Sequence, residues 1–396
     1  MAIDPHQSFT SLPREAYVSA QIFERETQRV MGEQWHYIAH ASEIPQAGDY
    51  LVEDYAGESI VVVRGRSGTI KAFLNTCRHR GFALCQGNKG NARRFTCPYH
   101  QWTYDLDGRL IMAPDMPDGE VIDYGSWGLH TVQTEVWEGL VFICLSTTAK
   151  PSIGQLIEHH APDLRRAHPA HWKKAAEKRY PIAANWKVLL ENFLECYHCK
   201  ATHPELCAAM DLDGMYGDIL DRPVGEYAGG MVPLKPGMMT QSLDGKLVSR
   251  PLGAFADMEA PPANWGAGFQ ITPVLTRIIA HVDHAMIFSI RPIDAGNVEW
   301  VARWFVHADA VEGVDYNLER LTEVWLATND QDLSLCVGTY RGIKSRRYVP
   351  GPLSVLREPA IHSAVQVYRS MMDGPAAGET SVGGDSVAGA PLDDRV

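Results

Sequence analysis

The sequence predicts an α+β fold in which a small antiparallel β module sits before, or inserted into, a larger unit of antiparallel sheet with covering helices. Three observations predict it. Between Asp49 and Asn75, short runs rich in Val, Ile, Tyr and Phe are separated by glycine turns. From Pro151 onward helical periodicity takes over, and two long strand-like runs, 284–293 and 298–306, flank the turn Asp294-Ala295-Gly296-Asn297. The 396 residues, 45% of them hydrophobic, suffice for a large core.

In chain order, residues 1–35 are expected to be a helical segment that packs on the larger unit. The β module spans 36–150, with strands over 49–55, 58–64 and 69–75 and a closing strand-like stretch over 135–145. The larger unit spans 151–372, with helices over 153–166 and 184–200, the two long strands, and a long helix over 314–340. Residues 373–396, mostly Gly, Ala, Ser and Asp, bury almost nothing and are expected to be a disordered tail.

Lys and Arg number 36 against 48 Asp and Glu, a formal charge of −12, which disfavours nucleic acid and anionic membrane as main partners. No apolar run approaches the roughly 18–20 residues of a membrane span. The start Met1-Ala2-Ile3-Asp4 lacks a basic and then apolar leader, so a cytoplasmic protein is expected. The eight cysteines are spread through a long chain, and Cys77, Cys97, Cys196, Cys199 and Cys207 lie near histidines, which favours metal chemistry over a disulfide framework.

The first constellation is Cys77-Arg78-His79, then seventeen residues, then Cys97-Pro98-Tyr99-His100. Each loop offers one thiolate and one imidazole. Two Cys on one iron and two His on the other make a valence-asymmetric 2Fe-2S cluster, whose neutral His ligands raise its potential. A Cys2His2 zinc finger would group its cysteines together and its histidines on a helix, which this spacing does not do.

The second constellation lies in the predicted 184–200 helix, where Trp186, Leu189, Leu190, Phe193 and Tyr197 mark an apolar stripe. Glu191, Asn192, Glu195 and His198 lie on an adjoining face, and His203 falls where Pro204 must end the helix. Two His can converge on one cation there, and Asp332, on the inward stripe of the long helix, is the carboxylate chosen as third ligand. Asp330 points roughly 200° around that helix and reads as a solvated charge. Two His and one carboxylate form the facial triad of ferrous iron, although Cys196, Cys199 and Cys207 leave a sulfur-rich zinc site open. By spacing alone Glu195 is equally an ordinary surface charge. His159, His160, His168 and His171 read as solvated, His281 and His284 as core or strand-edge residues, and Tyr216, Trp265 and Phe269 as aromatics of a loop-rich stretch able to line a pocket, although each singly reads first as a packing residue.

The cluster motif, followed by Trp102, Tyr104, Asp105, Asp107 and Gly108, resembles that of the Rieske non-haem iron oxygenases, with Gln101 where that family commonly has glycine. Asn192-Phe193-Leu194-Glu195-Cys196-Tyr197-His198 with His203-Pro204 extends the resemblance to the second unit, as does Asp332, although Val337 replaces a common downstream acid. Glu195, the Cys-Tyr-His-Cys run and Leu243-Asp244-Gly245 are most similar to members acting on quaternary ammonium compounds such as glycine betaine, stachydrine or carnitine.

The resemblance implies a Rieske domain with a helix-grip-like catalytic domain, and a terminal oxygenase. Cys77, His79, Cys97 and His100 would hold a 2Fe-2S cluster, and His198, His203 and Asp332 a mononuclear Fe(II). Electrons from NAD(P)H would arrive through a flavin and iron-sulfur reductase, and O2 would hydroxylate an N-methyl group of a small substrate, which then loses formaldehyde. It further implies a head-to-tail homotrimer in which Glu195 bridges His198 to His100 of the neighbour. The alternatives are an aromatic-ring dioxygenase with the same metals and a Rieske electron carrier without its own catalysis.

Overall fold

The computed structural model describes residues 9–214 and 225–374. The β module is a seven-stranded antiparallel sheet in the order His36–His40, Leu140–Cys144, Thr131–Trp137, Ile70–Leu74, Glu58–Arg64, Asp49–Tyr55, Lys89–Asn91. Ile60, Val61, Val62 and Val63 are all buried, so this central strand is covered on both faces and reads as a continuous apolar run. The single closing stretch expected over 135–145 is a hairpin, because Glu138 and Gly139 turn the chain with φ of 45° and 80°. A smaller sheet of Phe95–Thr96, Thr103–Tyr104 and Leu110–Met112 carries the second Cys/His loop.

The second sheet has six antiparallel strands in the order Trp172–Ile182, Asn297–His307, Ala285–Asp294, Thr276–His281, Gly266–Ile271, Tyr227–Met231. Of these, the sequence predicts the hairpin of Ala285–Asp294 and Asn297–His307. Trp172–Ile182 escapes an apolar pattern because its charges are used in pairs. Lys174 binds Glu43 and Glu177, and Arg179 reaches Glu53 at 2.7 Å, with Arg291 on the same Glu53 at 2.7 Å. This network ties the second sheet to the β module.

Phe193 and Trp325 pack the helices Trp186–Phe193 and Leu318–Ile343 onto Phe288 and Trp300 of the sheet. The first of these helices is shorter than the expected 184–200 helix. After Phe193 the chain leaves the helix, and the Glu195 carboxylate accepts the backbone N–H groups of Tyr197 and His198, an alternative to helical bonding that side chains of this kind offer. A disulfide between Cys196 and Cys199 closes the same turn, where metal chemistry alone was expected of these cysteines. A short helix, Cys199–Thr202, then leads to His203 and the helix Pro204–Ala209. The C-terminal helix Pro359–Asp373 runs one residue into the expected tail, whose remainder, 375–396, lies outside the described residues.

The helix Ala20–Arg29 is anchored by Glu26, which is fully buried. Its carboxylate accepts from Lys187 Nζ at 2.7 Å, Tyr368 OH at 2.6 Å and Trp186 Nε1 at 2.9 Å. Burial drives the Lys187 pKa down against the pull of Glu26. Lys187→Met leaves that carboxylate unpaired and is expected to cost about 3–5 kcal/mol in urea unfolding. The double variant Glu26→Gln/Lys187→Met should recover most of that loss.

Two candidate metal centres and a cavity

The two Cys/His loops are built alike. Cys77 N–H donates to Phe82 O at 2.9 Å and Gly81 N–H to Cys77 O at 2.9 Å, while Cys97 N–H donates to Trp102 O at 2.8 Å and Gln101 N–H to Cys97 O at 2.9 Å. Gly81 and Gln101 take φ of 78° and 61°, so Gln101 occupies a left-handed position that glycine fills without strain. Cys77 and Cys97 are buried, and the rings of His79 and His100 lie 4.5 Å apart. Trp102 stacks on His79 at 5.0 Å, and Tyr104 OH lies 3.5 Å from Cys77 Sγ.

These residues fit a cluster. His79 Nδ1 is buried and has no hydrogen-bond partner among the described residues, an expensive state for a lone imidazole. Burial and the neighbouring Cys77 push the Cys97 thiol pKa up, so a thiolate there calls for a cation beside it.

At the second centre, His198 Nε2 lies 3.1 Å from His203 Nε2 and 3.1 Å from Asp332 Oδ1, and His203 Nε2 lies 3.0 Å from Asp332 Oδ1. Donors at right angles around a metal, each about 2.1 Å from it, stand about 3.0 Å apart, against about 3.4 Å for tetrahedral donors. The observed triangle therefore suits a facial, six-coordinate site better than a tetrahedral zinc site. Cys199 Sγ also lies within 4.8 Å of the imidazole donors, but its bond to Cys196 removes it as a thiolate ligand. Asp330 points away, is largely exposed and lies 3.7 Å from Lys178.

Each imidazole is oriented through its other nitrogen. Glu195 Oε1 lies 2.5 Å from His198 Nδ1, and Gln331 Oε1 lies 2.7 Å from His203 Nδ1, with Gln331 in turn donating to Glu205 at 2.9 Å. Asn192 donates to Asp332 Oδ1 at 3.2 Å. Burial lowers the His198 pKa, but hydrogen bonds to Asp332 and Glu195 outweigh it and hold it up at about 9. Burial likewise works to raise Asp332, yet the two imidazoles keep it below the usual carboxylate range. The centre thus attracts positive charge. Gln331 and Glu205 went unnoticed in the sequence because neither lies in the Cys/His motif; Gln331 adjoins Asp332 and Glu205 follows His203-Pro204.

The triad opens onto a cavity of about 670 Å³ whose aromatic lining is Phe193, Tyr227 and Trp325. The loop-rich stretch contains the buried strand Gly266–Ile271; Trp265 and Phe269 are core residues, in keeping with the packing reading, and Tyr216 lies outside the described residues. His160, expected to be solvated, lines the cavity beside Tyr227, whereas His281 and His284 are buried in the core. The Tyr227–Met231 strand was missed because it is glycine-rich. It needs to be: a Cβ on Gly229 would lie 2.4 Å from His160 O.

Residues 34–133 match the Rieske [2Fe-2S] domain family, and residues 169–374 match the ring hydroxylating alpha subunit (catalytic domain) family. Over 91% of its length the chain is 33% identical to the glycine betaine monooxygenase oxygenase subunit of Pseudomonas aeruginosa, covering 89% of that relative. It is also 36% identical to the carnitine monooxygenase oxygenase subunit of Escherichia coli, over 53% of this chain and 56% of that one. Its fold is similar to that of the quaternary ammonium Rieske monooxygenase CntA in the apo form, with a TM-score of 0.71 and 24% identity over 94% of this chain and 99% of that chain. Naphthalene 1,2-dioxygenase with bound indole gives a TM-score of 0.70 and 19% identity over 94% and 95% of the two chains.

Proposed function

The chain belongs to the Rieske-type ring-hydroxylating oxygenase alpha-subunit family, and from that premise we propose that it N-demethylates a small quaternary ammonium compound, such as glycine betaine, carnitine or stachydrine. The observation that carries the choice of substrate is the near full-length likeness to a glycine betaine monooxygenase subunit. The cavity supports it, since Phe193, Tyr227 and Trp325 offer π faces, each able to attract a quaternary ammonium by about 0.5–2 kcal/mol.

The site residues take the roles assigned from the motif. Cys77, His79, Cys97 and His100 would hold the 2Fe-2S cluster, and His198, His203 and Asp332 the ferrous ion. When bound, the cluster supplies one electron at a time and the iron supplies oxygen activation. Glu195 and Gln331 fix the two ring orientations, and the cavity keeps the methyl group near the triad and away from bulk water. In balance, an N-methyl group, O2, two electrons and two protons give N–CH2OH and water. The C–N bond of this N–CH2OH group then breaks as its hydroxyl proton leaves, releasing formaldehyde, the demethylated amine and one proton. The electrons come from NAD(P)H through a partner reductase.

We further propose the head-to-tail homotrimer, with Glu195 between His198 and His100 of the neighbouring subunit. Glu195 already engages His198, and exposed aromatics stand beside both ends of the path, Tyr197 next to His198 and Tyr99 next to His100. Large exposed rings at both places suit faces that meet in an assembly. A CntA structure is described as giving insight into inter-subunit electron transfer in that enzyme.

The test is formaldehyde release by the holoenzyme with a reductase and NADH, across glycine betaine, carnitine and stachydrine. Formaldehyde formed in proportion to NADH used is expected with at least one of them. No formaldehyde from any, together with dihydroxylation of an arene such as naphthalene, would replace this reading by the ring dioxygenase.

A further inference from the structure

One arginine of the cavity lining, Arg277, has no carboxylate partner among the described residues. Arg277, on the strand Thr276–His281, lines the cavity and stands opposite Gln270 in the antiparallel register. Its Nη1 donates to Gln270 Oε1 at 3.2 Å, and Gln270 is itself fixed by a 3.0 Å bond from Nε2 to Thr272 Oγ1. The guanidinium lies over Gly268, where a Cβ would stand 2.9 Å from Nη2, so the absence of a side chain there gives the head group its place. Among the described residues no carboxylate pairs with it.

The contrast with its neighbours is sharp. Arg291 and Arg303, on the two strands of the same sheet that follow, pair with Glu53 and Glu177 at 2.7 and 3.2 Å. Burial lowers the Arg277 pKa, to about 10, with no counteracting acid among the described residues. At neutral pH it is therefore a guanidinium with donors to spare. A charge withdrawn from water in this way is costly until an anion meets it.

We propose that Arg277 is the carboxylate-binding residue of the substrate cavity, so that the substrate is a zwitterion carrying an anionic end as well as its N-methyl cation. This rests on the reading of the cavity as the substrate site of a quaternary ammonium oxygenase. A planar guanidinium held flat by Gly268 and Gln270 presents its free edge to a carboxylate in two-point contact. The aromatic faces take the cationic end. One cavity then selects betaines over choline, which has the same trimethylammonium group but a neutral hydroxyl, and orients them with one fixed end.

Calorimetric titration of the holoenzyme tests this with three probes of matched shape: glycine betaine, choline, and 3,3-dimethylbutanoate, the carbon isostere of glycine betaine that keeps only the carboxylate. The parent should bind glycine betaine more tightly than choline, a comparison that needs no variant. Arg277→Gln should weaken both carboxylates about 10- to 100-fold, the range of a charge-assisted pair, and leave choline unchanged. Arg277→Lys should fall between, with the visible spectrum of the cluster unaltered in both variants as the check on folding.

Unchanged carboxylate affinity in Arg277→Gln, or choline bound as tightly as glycine betaine by the parent, overturns the proposal while leaving the demethylase reading intact. Arg277-dependent binding of 3,3-dimethylbutanoate without binding of either ammonium compound upholds the anion site and overturns the quaternary ammonium reading. If the parent binds neither carboxylate, the proposal fails.

Discussion

Glu195→Gln is expected to leave both metal centres filled, to leave the cluster reducible by dithionite, and to slow its single-turnover reoxidation by O2 and substrate about 100-fold. The reason lies in what the carboxylate accepts. One oxygen meets His198 Nδ1 at 2.5 Å and the other takes the backbone N–H groups of Tyr197 and His198. An amide of the same shape has one accepting oxygen, and its NH2 would face an N–H donor on the other side. Either the imidazole or the turn loses its acceptor, and the negative charge that would attract a second imidazole from the neighbouring subunit is gone. Parent-rate cluster oxidation with product formation in the variant would remove Glu195 from the electron path.

His203→Ala is expected to abolish formaldehyde release while the visible and paramagnetic signals of the cluster persist. His203 is the most enclosed member of the triad, only 1% exposed against 19% for His198, so no outside donor replaces it readily. Deleting it also frees Gln331 and through it Glu205. Asp332→Asn should behave similarly, since it keeps the shape but removes the carboxylate of the triad. Undiminished turnover in either variant would overturn the facial-triad assignment.

The sequence made the two centres legible to different depths. Cys77-x-His79 and Cys97-x2-His100 lie on loops, where the spacing survives folding unchanged, and the structure adds the surrounding contacts of Trp102 and Tyr104 and the left-handed backbone at Gln101 that glycine would suit. Around His198 the spacing was read through a helix that the chain does not form there, because Glu195 bonds the following backbone and Cys196 bonds Cys199. The i,i+3 approach of Glu195 to His198 is present, but a turn makes it. The outer strands of the second sheet were hidden for opposite reasons: Trp172–Ile182 is too charged and Tyr227–Met231 too rich in glycine to show an apolar pattern, and both needs arise from partners distant in sequence. Arg277 was invisible for the same cause. An arginine in a strand is unremarkable until the fold shows that no acid among the described residues meets it.

The most direct test of the whole account is the iron content of the purified protein, parent and His203→Ala measured side by side with acid-labile sulfide. The account predicts about three irons and two sulfides per chain in the parent, and about two irons with the same sulfide in the variant. Equal iron in the two proteins, or zinc at the site that His203 helps to form, would contradict it.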